Sequence, residues 1–309
     1  MKIWLIILIV VILLILLILS YIARFAFNKV LKVTKRRDYF DEKYLRKRYI
    51  DGNFEKMKEY NQQNNYIDVN VESIDNLNLY GRLLLKSRTK FVILIHGYHS
   101  ISNRLLELAQ FYEKNDFSVL LVDLRGHGKS EGNYVGMGYM DSFDIEKFID
   151  YLQNNYGSNI QIVLHGFSMG AATVMNVIKN NSPLVKFAIE DCGFYDAKKE
   201  LKYKIRHDYH FPATPVYEFT YLIYLFKTHH DYHKFKPIDS VKKTNIPLLI
   251  VHGDKDDFVP VAHAYKINAA TNSYHKLLII KDAGHTLSYK TNQKLYEENI
   301  KEFINQFIK

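Results

Sequence analysis

The sequence predicts an α/β protein: a mostly parallel central sheet with helices on both faces and a short helical cap, preceded by one N-terminal transmembrane helix. Three observations carry this expectation. From about residue 66, short apolar runs rich in β-branched residues alternate with helical stretches, as strands buried on both faces require. That rhythm breaks once, over about 50 residues, too long a stretch for a bare loop in a compact domain. At the start of the chain, residues 3–19 are apolar without exception.

The apolar run comes first in the chain. Residues 3–23 would form a helix roughly 31 Å long, enough to cross a bilayer core. The alternative is a cleaved secretory signal, but the run exceeds a usual signal core of about 7–15 residues and no small-residue cleavage site follows. The chain carries a net charge of +9, and its first 48 residues hold 11 Lys/Arg against 3 Asp/Glu. The basic excess therefore lies beside the apolar helix, which suits anionic lipid and argues against a nucleic-acid partner. Lys2 precedes the helix, whereas Arg24, Lys29, Lys32, Lys35, Arg36 and Arg37 follow it. Positive residues stay cytoplasmic, so the expectation is a single-pass cell-membrane protein with its large domain in the cytoplasm. The expected organisation is an anchor over 1–23, a basic juxtamembrane stalk over 24–65 and a globular α/β domain over 66–309. Arg46, Lys47 and Arg48 read equally as membrane-surface residues or as a solvated helix face.

Strands are expected at Phe91–Ile95, Val119–Val122, Ile160–Leu164, Phe187–Ile189, Leu248–Val251 and Leu277–Ile280. Alternation over Ile67–Val71 and Leu77–Leu85 predicts an antiparallel edge hairpin. Helices are expected at Arg104–Lys114, Tyr139–Asn155, Met169–Lys179, Val261–Ala270 and Thr291–Ile308. The long gap, about 196–245, is rich in Tyr, Phe and His and reads as the inserted cap.

The strongest chemical signal follows the strand at Ile160–Leu164: Gly166-Phe167-Ser168-Met169-Gly170. G-x-S-x-G between a strand and a helix is the setting in which a serine stands on a sharp turn with its hydroxyl exposed. The two glycines let neighbouring backbone pass close. A serine needs a base, and His285 lies in the loop after the last strand, positioned to swing over the sheet edge. The base needs an acid to fix its tautomer. Asp254, Asp256 and Asp257 compete in His252-Gly253-Asp254-Lys255-Asp256-Asp257-Phe258-Val259-Pro260, and the spacing selects Asp256. The backbone N–H groups of Tyr98, after the strand at Phe91–Ile95, and of Met169 could together form an oxyanion hole.

These motifs resemble the α/β-hydrolase superfamily, in its lipase, esterase and serine-aminopeptidase-like branch. The resemblance extends to Asp123-Leu124-Arg125-Gly126-His127-Gly128-Lys129-Ser130, similar to a turn that is structural in that family. It covers residues 66–309, about four fifths of the chain, and is nearest to bacterial members with an N-terminal apolar helix and a short cap. It implies the α/β-hydrolase fold and acyl transfer to water with no cofactor. Two departures stand out: Gly170-Ala171 replaces a glycine pair common in the family, and the loop His96-Gly97-Tyr98-His99 lacks the extra glycines of some lipases.

The leading expectation is therefore a serine hydrolase of the carboxylesterase type, acting on a small-molecule or lipid-like ester. A peptidase or amidase would instead need a carboxylate in the cap facing Ser168, for which Glu218 is one candidate. A non-catalytic binding protein on the same fold would leave the three residues idle. His229 and His233 stand four apart in the cap, but no carboxylate cluster accompanies them, so no metal is expected. The cap aromatics Tyr217, Phe219, Tyr221, Tyr224 and Phe226 suit either an acyl pocket or core packing. Cys192, the one cysteine, suits a small packing role.

Overall fold

Continuous apolar strands and amphipathic helices leave the chain one economical arrangement, a sheet between two helical layers. The computed structural model, which describes residues 2–33, 38, 40–208, 210–234 and 236–309, has that arrangement. Eight strands form one sheet: β1 (Ile67–Glu72), β2 (Asn78–Leu84), β3 (Lys90–Ile95), β4 (Ser118–Val122), β5 (Gln161–Phe167), β6 (Val185–Asp191), β7 (Leu248–Gly253) and β8 (His275–Ile280). Their spatial order is β1-β2-β4-β3-β5-β6-β7-β8. The β1–β2 hairpin is antiparallel and joins β4 antiparallel, and every later pairing is parallel. The parallel strands β3, β4 and β7 are buried along nearly their whole length, which explains why they read as unbroken apolar runs.

The helices are α1 (Lys2–Val30), α2 (Glu42–Arg46), α3 (Phe54–Gln63), α4 (Leu106–Lys114), α5 (Met140–Tyr156), α6 (Met169–Ile178), α7 (Ala197–His207), α8 (Ala213–Thr228), α9 (Pro237–Val241), α10 (Ala262–Ala270), α11 (Ser288–Thr291) and α12 (Gln293–Phe307). Two apolar clusters flank the sheet. One gathers α5, α6 and the cap helices α7 and α8. The other gathers α2, α3, α4 and α12. The 196–245 insertion contains α7, α8 and α9.

α1 is long and apolar enough to cross a membrane, and its side chains from Ile3 to Ile18 lie exposed. Its last turns behave differently. Ala23, Ala26 and Phe27 are buried, with Leu31 beyond them. The Thr220 hydroxyl on α8 donates to the Ala23 carbonyl at 3.3 Å.

The stalk expected over 24–65 does not stand off from the domain. Leu45, Tyr49, Phe54 and Met57 are buried in the second cluster beside α4. The segment looked polar because only one residue in three or four on each short helix turns inward. Lys35, Arg36 and Arg37 lie outside the described residues.

Candidate active site

Ser168 sits between β5 and α6, where the chain reverses within one residue. Its backbone adopts φ 54° and ψ −114°, a left-handed value that costs a non-glycine residue energy and persists only where the surroundings enforce it. They do so by close contact. A Cβ on Gly166 would lie 2.2 Å from the Gly170 carbonyl oxygen, and one on Gly170 would lie 2.4 Å from that of Ile95. The Ser168 N–H donates to the Asp191 carbonyl at 2.8 Å, tying the turn to β6. Ala171, the departure from a glycine pair, is accommodated because its Cβ faces Gly193, where a second Cβ would approach to 2.9 Å.

His285 reaches this turn from the loop after β8. Its Nε2 lies 2.9 Å from Ser168 Oγ and its Nδ1 2.7 Å from Asp256 Oδ2. The aspartate is fixed in turn. Its other oxygen accepts the N–H groups of Phe258 and Val259 at 2.9 and 2.8 Å. Asp256 is buried, whereas Asp254 and Asp257 are exposed. Burial pushes the Asp256 carboxyl up, but hydrogen bonds from His252 and His285 outweigh it and hold the group well below the usual carboxylate range. His285 is held below its ordinary value, because its burial outweighs the pull of Asp256. The histidine is thus neutral and the aspartate charged near neutral pH, the protonation states that a base and its orienting acid require.

The loop after β3 runs directly against the elbow: a Cβ on Gly97 would meet the Phe167 carbonyl at 3.0 Å and Ser168 Cβ at 3.2 Å. His96 Nε2 accepts the Leu124 N–H at 3.1 Å, which leaves the hydrogen on Nδ1, 2.8 Å from the Gly97 carbonyl. Pinning that carbonyl aims the other end of the same planar peptide, the Tyr98 N–H, the opposite way. Met169 opens α6, and N–H groups in a first helical turn lack intrahelical acceptors.

Two hollows meet at Ser168. One is an apolar cleft lined by Val30, Tyr98, Met137, Phe194, Leu201 and Phe258. The Tyr98 hydroxyl donates to the Val30 carbonyl at 2.8 Å, so the end of α1 forms part of the wall. The other is a cavity of about 470 Å³ that also contains His285 and is bordered by Tyr44, Arg48, His99 and Arg104. Sequence reading missed Arg48 and Arg104. Arg46 is exposed and paired with Glu42 and Glu55, whereas Arg48, two residues on, turns into the cavity and donates to the His285 carbonyl at 3.1 Å.

Other residues singled out in the sequence are occupied elsewhere. Asp123 accepts the Lys129 N–H, and the Ser130 hydroxyl returns to the Asp123 carbonyl. His127 bridges His99 N–H and the Arg125 carbonyl. Both fit a structural turn. Glu218 forms an ion pair with Lys202 at 2.6 Å. His229 ends α8 in a left-handed conformation, while His233 lies in a separate short 3₁₀ turn and stacks on Tyr221. Their spacing of four is therefore not one helix face. Cys192 is buried beside Asp256 and His285, close enough for the three to hold an ion. However, the Asp256–His285 hydrogen bond already uses those atoms, and burial pushes the thiol well above its ordinary pKa.

Residues 86–207 match the family described as Hydrolase_4, serine aminopeptidase, S33. YqkD of Bacillus subtilis, an uncharacterised protein, is 26% identical over 215 residues, 69% of this chain and 70% of its own. YfhR of Escherichia coli K12 is also 26% identical, over 68% of this chain and 69% of its own. Among solved structures, the Pyrococcus furiosus esterase Pf2001 superposes with a TM-score of 0.66 at 22% identity, over 81% of this chain and 95% of its own. Est1E of Butyrivibrio proteoclasticus, solved with ferulic acid, gives 0.61 at 20% identity, over 78% and 99%.

Proposed function

We propose that this chain, which has the α/β-hydrolase fold, is a membrane-anchored serine hydrolase that cleaves carboxylic esters. The observation that carries the reading is the continuous relay from Ser168 Oγ through His285 to Asp256, at 2.9 and 2.7 Å. In this reading His285 removes the Ser168 proton as the hydroxyl oxygen attacks the ester carbonyl carbon. The negative charge that develops on the carbonyl oxygen rests on the Tyr98 and Met169 N–H groups. His285 then gives its proton to the leaving alcohol, and Asp256 stabilises the transient imidazolium. A water molecule, activated by the same histidine, releases the acid from Ser168.

The apolar cleft suits the acyl group, and α1 suits a single membrane span that leaves the domain on the cytoplasmic face. Support for the ester reading comes from the Pyrococcus furiosus esterase among the superposing structures. The test is turnover of 4-nitrophenyl esters of graded chain length by the full chain in detergent. Wild type should cleave them, Ser168→Ala should lose at least about a thousandfold in kcat, and a fluorophosphonate should label Ser168. If neither turnover nor labelling is seen, a non-catalytic binding role replaces this reading.

One observation favours a second reading, a peptidase. Glu200 on α7 lines the apolar cleft with Ser168, and burial pushes its carboxyl up to about 8. A substrate amine would bind there as the carboxylate forms. Cleavage of amino-acid 4-nitroanilides in preference to esters, lost in Glu200→Gln, would establish the peptidase.

A further inference from the structure

Arg48 and Arg104 border the same cavity as His285. Arg104 is 5% exposed. One of its Nη atoms donates to the Thr286 carbonyl, and its buried Nε has no acceptor. Arg48 is half-buried. Its burial, and then the nearby Arg104 cation, lower its pKa. Among the described residues, neither guanidinium has a carboxylate within ion-pairing distance. Among the described residues, the acid that borders the cavity is Asp257, which is exposed. Two cations have therefore been brought together, partly out of water, beside the candidate nucleophile with no carboxylate in direct contact with either; Arg104 feels the Glu107 and Asp191 carboxylates only at longer range. A protein bears that cost where a ligand supplies the missing charge.

The side of the site on which they lie is informative. His285 must hand its proton to the departing alcohol oxygen, so the leaving group departs into the cavity that His285 borders. The acyl group then occupies the other, apolar cleft. We propose that Arg48 and Arg104 form an anion subsite for the leaving group, so that the preferred substrate is an ester of an apolar acid with an alcohol bearing a carboxylate or phosphate. The planar fork of a guanidinium matches either oxyanion. This proposal rests on the serine-hydrolase reading and specifies the substrate class of the same site.

A purely structural role is the competing explanation, because both arginines also hold the loop that carries His285. The experiment separates the two by a ratio. Full-length enzyme in detergent is given 4-nitrophenyl butyrate and 5-butyryloxy-2-nitrobenzoate, which share the acyl group and differ by a carboxylate on the leaving group. In Arg48→Gln the kcat/KM ratio of anionic to neutral ester should fall about tenfold or more, and Arg48→Lys should restore much of it. Arg46→Gln, a surface change, should leave the ratio as in wild type. The KM for the anionic ester should rise with salt while that for the neutral ester should not. Arg104→Gln should behave like Arg48→Gln where it folds. An equal loss on both esters, with the ratio and salt response unchanged, overturns the proposal and leaves a positioning role. Failure of wild type to cleave either ester, with no fluorophosphonate labelling, brings down the underlying reading as well.

Discussion

At the scale of single residues, Ser168, Asp256 and His285 were recognisable because each stands in a short local motif at a strand end. The sheet converts separation in sequence into proximity: His285 is 117 residues from Ser168 yet 2.9 Å away. Arg48 had no such signature. An arginine that turns into a cavity and one that faces water look alike in a basic run, and only tertiary packing separates Arg48 from Arg46. The protonation state of His285 gives a residue-scale prediction. Its pKa is held below the ordinary value of about 6.5, and only the neutral form can accept the serine proton. The acid limb of kcat/KM should therefore have its midpoint below about 6.5. Asp256 opposes that lowering, so Asp256→Asn should move the limb lower still, with a loss in kcat of about 10⁴. A pH–rate profile checks both. An acid limb above 6.5 would contradict the lowering of the His285 pKa by burial.

At the scale of elements, every strand expected from the sequence is present, because buried parallel strands announce themselves as apolar runs. Element ends were less legible. The residues just past an apolar run still pair or coil as far as backbone hydrogen bonding allows, so β6 spans seven residues where three were expected. Side-chain ties between elements left no trace in the sequence either. Arg125, just after β4, pairs with Asp144 on α5 at 2.7 Å and with Asp75 of the β1–β2 turn at 2.9 Å. Its side chain is 5% exposed, Asp144's 2% and Asp75's 29%. Removing the arginine strands a buried carboxylate. Arg125→Met should therefore lower unfolding free energy by about 3–5 kcal/mol, whereas Asp75→Asn, at the wetter end, should cost distinctly less. Urea unfolding measures the difference.

At the scale of the whole molecule, the largest revision concerns residues 24–65. Their charge suggested a tether, but charge describes the outward face of a short helix and conceals the inward one. Leu31, Leu45 and Tyr49 are fully buried, and each such side chain contributes roughly 1.5–3 kcal/mol by leaving water. Removing residues 2–18 should thus leave the melting temperature of the remainder nearly intact. Removing residues 2–48 should lower it by several degrees or more and should also delete Arg48. Scanning fluorimetry of the two shortened proteins against the full chain tests this. Similar melting temperatures would mean that the segment does not stabilise the domain.

Val30 belongs both to α1 and to the wall of the cleft at Ser168. If α1 spans a bilayer, the seven residues from Arg24 to Val30 would set Ser168 at a fixed altitude, about 10 Å above the hydrocarbon. Encounter with an ester dissolved in that leaflet then becomes a search in two dimensions. The reaction rate would follow the mole fraction of ester among the surrounding lipids, and diluting the leaflet with inert lipid would slow the enzyme even at constant total substrate.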